Sequence, residues 1–277
     1  MKKILIWIFA VIITLSAAVY QRLTGPTHPK RCTIELGGKE YKVKFLRSQA
    51  GSADAEIALN IPDTNVHAML VYRLFPSNFE WSSCEMEHKE GKLVGYLPNQ
   101  PMAGKIEYYM QLTAGNEKVE VMKNETIKIR FRGEVPDYIL IPHIFFMFIF
   151  MLFANAAGLF AIAKIEVQRL YGIISLILII IGGMILGPLV QKFAFNEYWA
   201  GVPFAWDLTD NKTLIALIFW IIAVAANYKK PKMWTTILAA VVTIIVFSIP
   251  HSMFGSELDH ESGKIIQGFI TPFFRLY

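Results

Sequence analysis

The chain has 277 residues, 54% of them hydrophobic and only 18% charged, with a mean hydropathy of +0.41. Soluble domains carry roughly a quarter charged residues. With just 2 cysteines, this composition excludes a disordered chain, a collagen-like repeat and a disulfide-stapled miniprotein. The net charge of +5 does not point to nucleic acid, because the basic residues fall in short loops between apolar runs.

The first apolar run, residues 4–20, follows Lys2 and Lys3. Residues 1–20 read as a membrane anchor or as a secretory signal, with Ser16 and Ala18 at the small-residue cleavage positions. In both readings the chain that follows is exported.

Residues 30–133 have ordinary polarity and alternate in short stretches. These are 32–36 and 41–46 around Gly37-Gly38, then 56–61, 68–74, 81–87, 93–97, 105–112, 119–122 and 126–131. That spacing predicts an all-β sandwich. The stretch Gly104-Lys-Ile-Glu-Tyr-Tyr-Met-Gln resembles the penultimate-strand region of immunoglobulin and fibronectin type III modules. The resemblance is one of fold and implies a binding or docking module, not a reaction. Cys32 and Cys84 both lie here, and export would allow a disulfide between them.

A spanning helix needs about 20 apolar residues. Runs 138–163, 170–190, 214–228 and 234–249 meet or approach this length, the third if its first turn starts near Thr209. They define a four-helix membrane domain over residues 137–250 and leave a tail, 251–277. Gly183 and Gly187 have the small-xxx-small spacing that lets helices approach closely. Lys2 and Lys3, then Lys164 and Arg169, then Lys229, Lys230 and Lys232 mark one side. That side is cytoplasmic by the positive-inside rule. The β-rich region, the loop 191–212 and the tail are then extracytoplasmic. The expected protein is an α-helical membrane protein with 4–5 transmembrane helices and an extracytoplasmic all-β, immunoglobulin-like sandwich. Its expected location is a bacterial-type inner membrane with the N-terminus cytoplasmic. Its partners would be lipid and other membrane or periplasmic proteins of a complex.

Polar residues that recur at one membrane face carry the functional signal. His143 sits in Ile141-Pro-His-Ile-Phe-Phe-Met, and His251 follows Ile249-Pro. Between them lies the aromatic loop Asn196-Glu-Tyr-Trp-Ala-Gly-Val-Pro-Phe-Ala-Trp-Asp-Leu-Thr-Asp-Asn-Lys-Thr. The helix order brings both histidines to the same face, where two imidazoles would ligate one haem iron from opposite sides. Trp199, Phe204 and Trp206 offer flat apolar surface to a macrocycle. Lys192, Lys212 or the amides near Thr209 are candidates for propionates. Met147 and Met151 share the helical face of His143 and, with Met253, form an alternative thioether set for Cu(I). Glu257, Asp259 and His260 form a further, hard-metal alternative. The plain alternative is no cofactor: interfacial histidines and aromatics, packing methionines, and acidic helix caps at Asp207 and Asp210.

Tyr198-Trp-Ala, Trp206-Asp207, Lys212-Thr213 and Leu214-Ile-Ala-Leu-Ile-Phe-Trp220 also resemble the tryptophan-rich outer loop of the haem-handling membrane proteins of cytochrome c biogenesis. The resemblance covers about residues 138–251. That family brackets its loop, Trp-x-Trp-Asp-Pro-Lys-Glu-Thr, with one histidine before and one after. The resemblance implies haem b ligated by His143 and His251, with Trp199, Phe204, Trp206, Asp207 and Lys212 around it. It implies electron transfer or cytochrome assembly as the role. This chain departs from the family at Asp207-Leu-Thr-Asp-Asn-Lys-Thr and has fewer tryptophans. The competing expectation is a non-enzymatic accessory subunit whose sandwich docks a partner. Neither a Gly-x-Ser-x-Gly elbow nor a His-Glu-x-x-His motif occurs, so nothing suggests hydrolysis.

Overall fold

The computed structural model describes residues 1–76, 79–251, 253, 255–260 and 262–266. They fall into two units: a helical one, Met1–Pro26 with Val135–Gly255, and a β-rich one, Thr27–Glu134 with Ser256–Ile266.

The helical unit has five helices: α1 (Lys2–Thr24), α2 (Asp137–Ile162), α3 (Gln168–Phe195), α4 (Leu208–Ala226) and α5 (Met233–Ser248). The first four are long and apolar enough to cross a membrane, whereas α5 has 16 residues. Within α3, residues Ile180–Leu186 are wound as a π-helix. Helix α4 starts at the early position, because Asp207 caps it by accepting the Thr209 amide at 2.7 Å. Asn196 closes α3 in the left-handed conformation at φ 62°, which asparagine tolerates.

Small residues set the helix spacing. A Cβ added at Gly158 would meet Ala240 Cβ at 2.5 Å, so α2 and α5 pack backbone to backbone there. Phe150, Trp220 and Phe247 fill the space around these alanine-lined contacts. Buried polar groups are paired between helices: Trp220 Nε1 donates to Thr243 Oγ1 at 2.9 Å. At the lysine-marked end, Gln168 donates to Asn227 at 2.9 Å and accepts from Thr236 at 2.6 Å. Helix α1 is tied in by Asn155, which donates to Thr14 Oγ1 at 2.8 Å. It is also held by Trp7, whose ring meets Phe153 at 5.5 Å and Tyr171 at 5.3 Å.

The β-rich unit opens with a hairpin, β1 (Lys30–Leu36) and β2 (Lys39–Phe45), turned by Gly37 and Gly38 at φ 59° and 69°. The strands β3 (Ser48–Ala50), β4 (Ala55–Leu59), β5 (Val66–Phe75) and β6 (Ser82–Lys89) follow. They are joined by β7 (Lys92–Leu97), β8 (Lys105–Ala114), β9 (Glu117–Val121) and β10 (Ile127–Arg132). Their order is β3-β10-β8-β5-β6-β7-β4, with β9 also on β8. Every neighbouring pair is antiparallel except β3, which runs parallel to β10. One core, including Phe45, Ile57, Leu70, Tyr108 and Phe131, unites the hairpin with this curled sheet.

Two features depart from expectation. Cys32 and Cys84 are both free thiols: one faces Val43 across the β1–β2 ribbon, the other Leu70 across β6–β5. The tail also contributes structure, since β11 (Glu257–Leu258) and β12 (Ile265–Ile266) form a hairpin within the β-rich unit. Arg130 donates to the Ser256 carbonyl at 2.7 Å, the Leu258 amide donates to Ala103 O at 3.2 Å, and Lys105 pairs with Glu257.

Candidate functional site

The two Ile-Pro-His segments occupy different structural settings. In α2 the sequence Pro142-His143 lies within the helix, so His143 projects sideways toward α3. Its Nδ1 lies 2.9 Å from the carbonyl oxygen of Gly182. A carbonyl only accepts, so Nδ1 carries the proton and Nε2 holds the lone pair. Among the described residues Nε2 has no hydrogen-bond partner.

The π-turn and its glycines make this contact. In a π-turn the hydrogen bond closes five residues on, and Gly187 N–H donates to Gly182 O. A Cβ at Gly182 would meet Phe146 Cβ at 2.9 Å and Met147 Sδ at 3.0 Å. One at Gly183 would meet Thr213 Cγ2 at 2.6 Å. The paired glycines therefore let α3 touch α2 on one side and α4 on the other. Gly187 borders the imidazole, its notional Cβ lying 3.8 Å from His143 Cε1.

His251 is the third residue beyond the last turn of α5, and two side chains fix the end of that helix. Gln21 of α1 donates to the Phe247 carbonyl at 2.9 Å, and Lys212 of α4 donates to the Ile249 carbonyl at 2.7 Å. Carbonyls at a helix end need such partners. His251 itself is exposed, although protein atoms crowd around its ring. Close packing first, then the Lys212 ammonium and His143, push its protonation below the ordinary imidazole range. His143 and Lys212, from two other segments, thus stand within electrostatic reach of His251.

The aromatic loop is pinned to the first turn of α4. Ala200 N–H donates to Asp210 Oδ2 at 2.5 Å, Val202 N–H donates to Asn211 Oδ1 at 2.9 Å, and Asp207 N–H donates to Ala200 O at 2.8 Å. Trp199 Nε1 donates to Val202 O at 3.2 Å. The Asp-Leu-Thr-Asp-Asn sequence is thereby explained as a loop clamp. Phe204 and Trp206 point outward, 82% and 57% exposed. Among the described residues no ring contact joins Trp199, Phe204 or Trp206 to either histidine. Glu197 in this loop is raised above the usual carboxylate range by burial and then by Asp207, against the pull of Lys192.

The other candidates have structural placements. Lys212 is 1% exposed and engaged with Ile249 O, and the Thr209 amide is taken up by the Asp207 cap. Lys192, half-buried, donates to Asn196 O at 3.2 Å and lies 5.2 Å from the Tyr198 ring centroid. Met147 sulfur lies against the glycine pair, Met151 is buried in the helical core, and Met253 is exposed. Glu257 is paired with Lys105. Among the described residues no three His, Cys, Asp or Glu side chains converge. A bare ion generally needs more protein ligands than this, whereas haem iron brings four nitrogens of its own and takes two axial imidazoles.

Sequence reading singled out both histidines but not Gly182, which holds the His143 ring, Gln21, which fixes the end of α5 before His251, or Asp210 as the clamp of the aromatic loop. The signal for Gly182 was the adjacent glycine pair inside an apolar run. Gln21 carried none. No family model matches the chain, and no curated protein or solved structure does either.

Proposed function

We propose that the chain is an integral membrane protein that binds haem at the extracytoplasmic end of its helix bundle. His143 and His251 are the axial ligands, and the role is electron transfer or haem handling in cytochrome assembly. One observation carries this reading: His143 is held through Nδ1–H on a backbone carbonyl, with Nε2 uncommitted, and a second histidine lies within electrostatic reach of it. A ligating imidazole commonly has its other nitrogen anchored in this way, which fixes tautomer and ring orientation. Bound haem would supply one-electron chemistry. The residues supply its orientation, through the Gly182 carbonyl for one ligand and the Gln21 and Lys212 contacts that fix the segment of the other. The basic residues of the inner loops support a cytoplasmic N-terminus, with α1 to α5 spanning an inner membrane and an immunoglobulin-like module outside.

The test is the visible spectrum of the full-length protein in mild detergent, oxidised and reduced, with haem supplied during growth. A low-spin b-type spectrum is expected, weakened in His143→Ala and in His251→Ala. A folded protein without a Soret band would leave a second reading. In that reading the chain is a non-enzymatic accessory subunit whose β-rich unit docks a partner. The exposed Trp81 and Tyr96 of that unit favour it as a contact surface.

A further inference from the structure

The sequence places Lys212 at the end of the outer loop as a candidate for a propionate, and the fold buries it near the start of α4. Its side chain is 1% exposed, at the point where α4 meets the end of α5. The ammonium donates to one backbone carbonyl, that of Ile249, at 2.7 Å. Among the described residues no carboxylate lies within ion-pair distance of it. The next residue, Thr213, rests against Gly183, neighbour of the glycine that holds His143. Ile249 itself lies two residues before His251. A buried ammonium is unfavourable unless it is neutralised, yet this one, tied to the segment that carries His251 and felt by that histidine, has no carboxylate in contact among the described residues.

We infer that Lys212 is an electrostatic tuning residue that raises the reduction potential of the iron held by His143 and His251. The inference rests on the haem reading of the site. Reduction of ferric to ferrous iron adds one electron and lowers the charge of the centre by one, with no bond made or broken. A fixed positive charge in a poorly screened setting disfavours the ferric form more than the ferrous form. Lys212 therefore biases the site toward accepting electrons.

The experiment is an anaerobic redox titration of the full-length, haem-loaded protein, followed by its visible spectrum. Lys212→Gln is expected to shift the midpoint potential downward with the low-spin spectrum unchanged, and Lys212→Arg to leave it near the wild-type value. Asp207→Asn keeps a capping side chain while removing the nearest negative charge of the α4 start, and is expected to shift the potential upward. A merely structural lysine would change haem occupancy or thermal stability without moving the potential. Unchanged potentials in Lys212→Gln and Asp207→Asn, with haem bound, overturn this inference and leave the haem reading intact. If Lys212→Gln does not load haem, the Asp207→Asn potential decides alone. A wild-type protein that takes up no haem overturns the reading and this inference together.

Discussion

The Nδ1 atom of His143 and the carbonyl oxygen of Gly182 meet at 2.9 Å, between α2 and the π-turn of α3. The contact requires α2 and α3 to be closer than side chains ordinarily allow, which Gly182 provides, while Gly183 lets the same turn approach α4. Gly183→Ala places a methyl group 2.6 Å from Thr213 Cγ2. Overpacking of this kind costs about 1–3 kcal/mol. Thr213→Ser removes the offending carbon and keeps the hydroxyl that donates to Thr209 O. The double variant should recover most of the stability lost in Gly183→Ala, measured as thermal midpoints in detergent. Equal losses in single and double variants would show that the close approach does not determine the site.

Helix α1 is built into the bundle. Thr14 is fully buried, accepts from Asn155 and donates to Ala10 O at 2.8 Å, while Trp7 sits among three aromatic rings. Cleavage after a signal sequence would strip Asn155 of its partner and empty that aromatic cluster. Intact mass of the purified protein should therefore retain residues 1–20. Thr14→Val should destabilise by about 0.5–2 kcal/mol, in the range of interhelical hydrogen bonds in membranes. Adding Asn155→Leu should restore part of this, since removing both polar partners is milder than stranding one.

The docked tail makes a pH-dependent prediction. Burial, opposed by Glu257, holds the Lys105 ammonium below the usual lysine range. Between the folded value and the ordinary one the unfolded chain binds the extra proton, so stability should rise as pH climbs toward about 10.5. Lys105→Met should flatten that rise in denaturant titrations of the full-length protein. At neutral pH it leaves Glu257 without its partner. Lys105→Met with Glu257→Leu should be at least as stable as either single variant, because replacing both members of a shielded pair is milder than replacing one. A pH profile unaltered by Lys105→Met would remove the lysine from the account.

The legible parts of this chain were those with long or repeated signals. Four apolar runs announced α2 to α5, the Gly37-Gly38 turn announced the first hairpin, and the alternation of residues 56–131 announced the antiparallel strands within a few residues. Strand β3 escaped because Ser48–Ala50 is too short to show a period, and its parallel pairing with β10 is non-local. The tail hairpin escaped for the same reason: Glu257–Leu258 and Ile265–Ile266 are strands of two residues each. The π-turn has no periodic signature at all. The burial of Lys212 was not legible because it depends on α4 starting at Leu208, a start set by the Asp207 cap rather than by hydrophobicity.

Asp210 offers the sharpest check on the loop clamp. Its carboxylate is buried and accepts from the Ala200 amide at 2.5 Å, and Gln191 and the Gly201 backbone also favour its charged form. Hydrogen bonds to a charged group contribute about 1.5–3 kcal/mol each. Asp210→Ala should therefore detach the aromatic loop from α4 while the helix, still capped by Asp207, persists. The expected readout is faster proteolysis within residues 196–206, with little change in helical content by circular dichroism. Asp210→Asn retains one acceptor oxygen and should fall between the two. If Asp210→Ala melts the bundle as a whole, the carboxylate holds α3 against α4 through Gln191, and the loop merely follows.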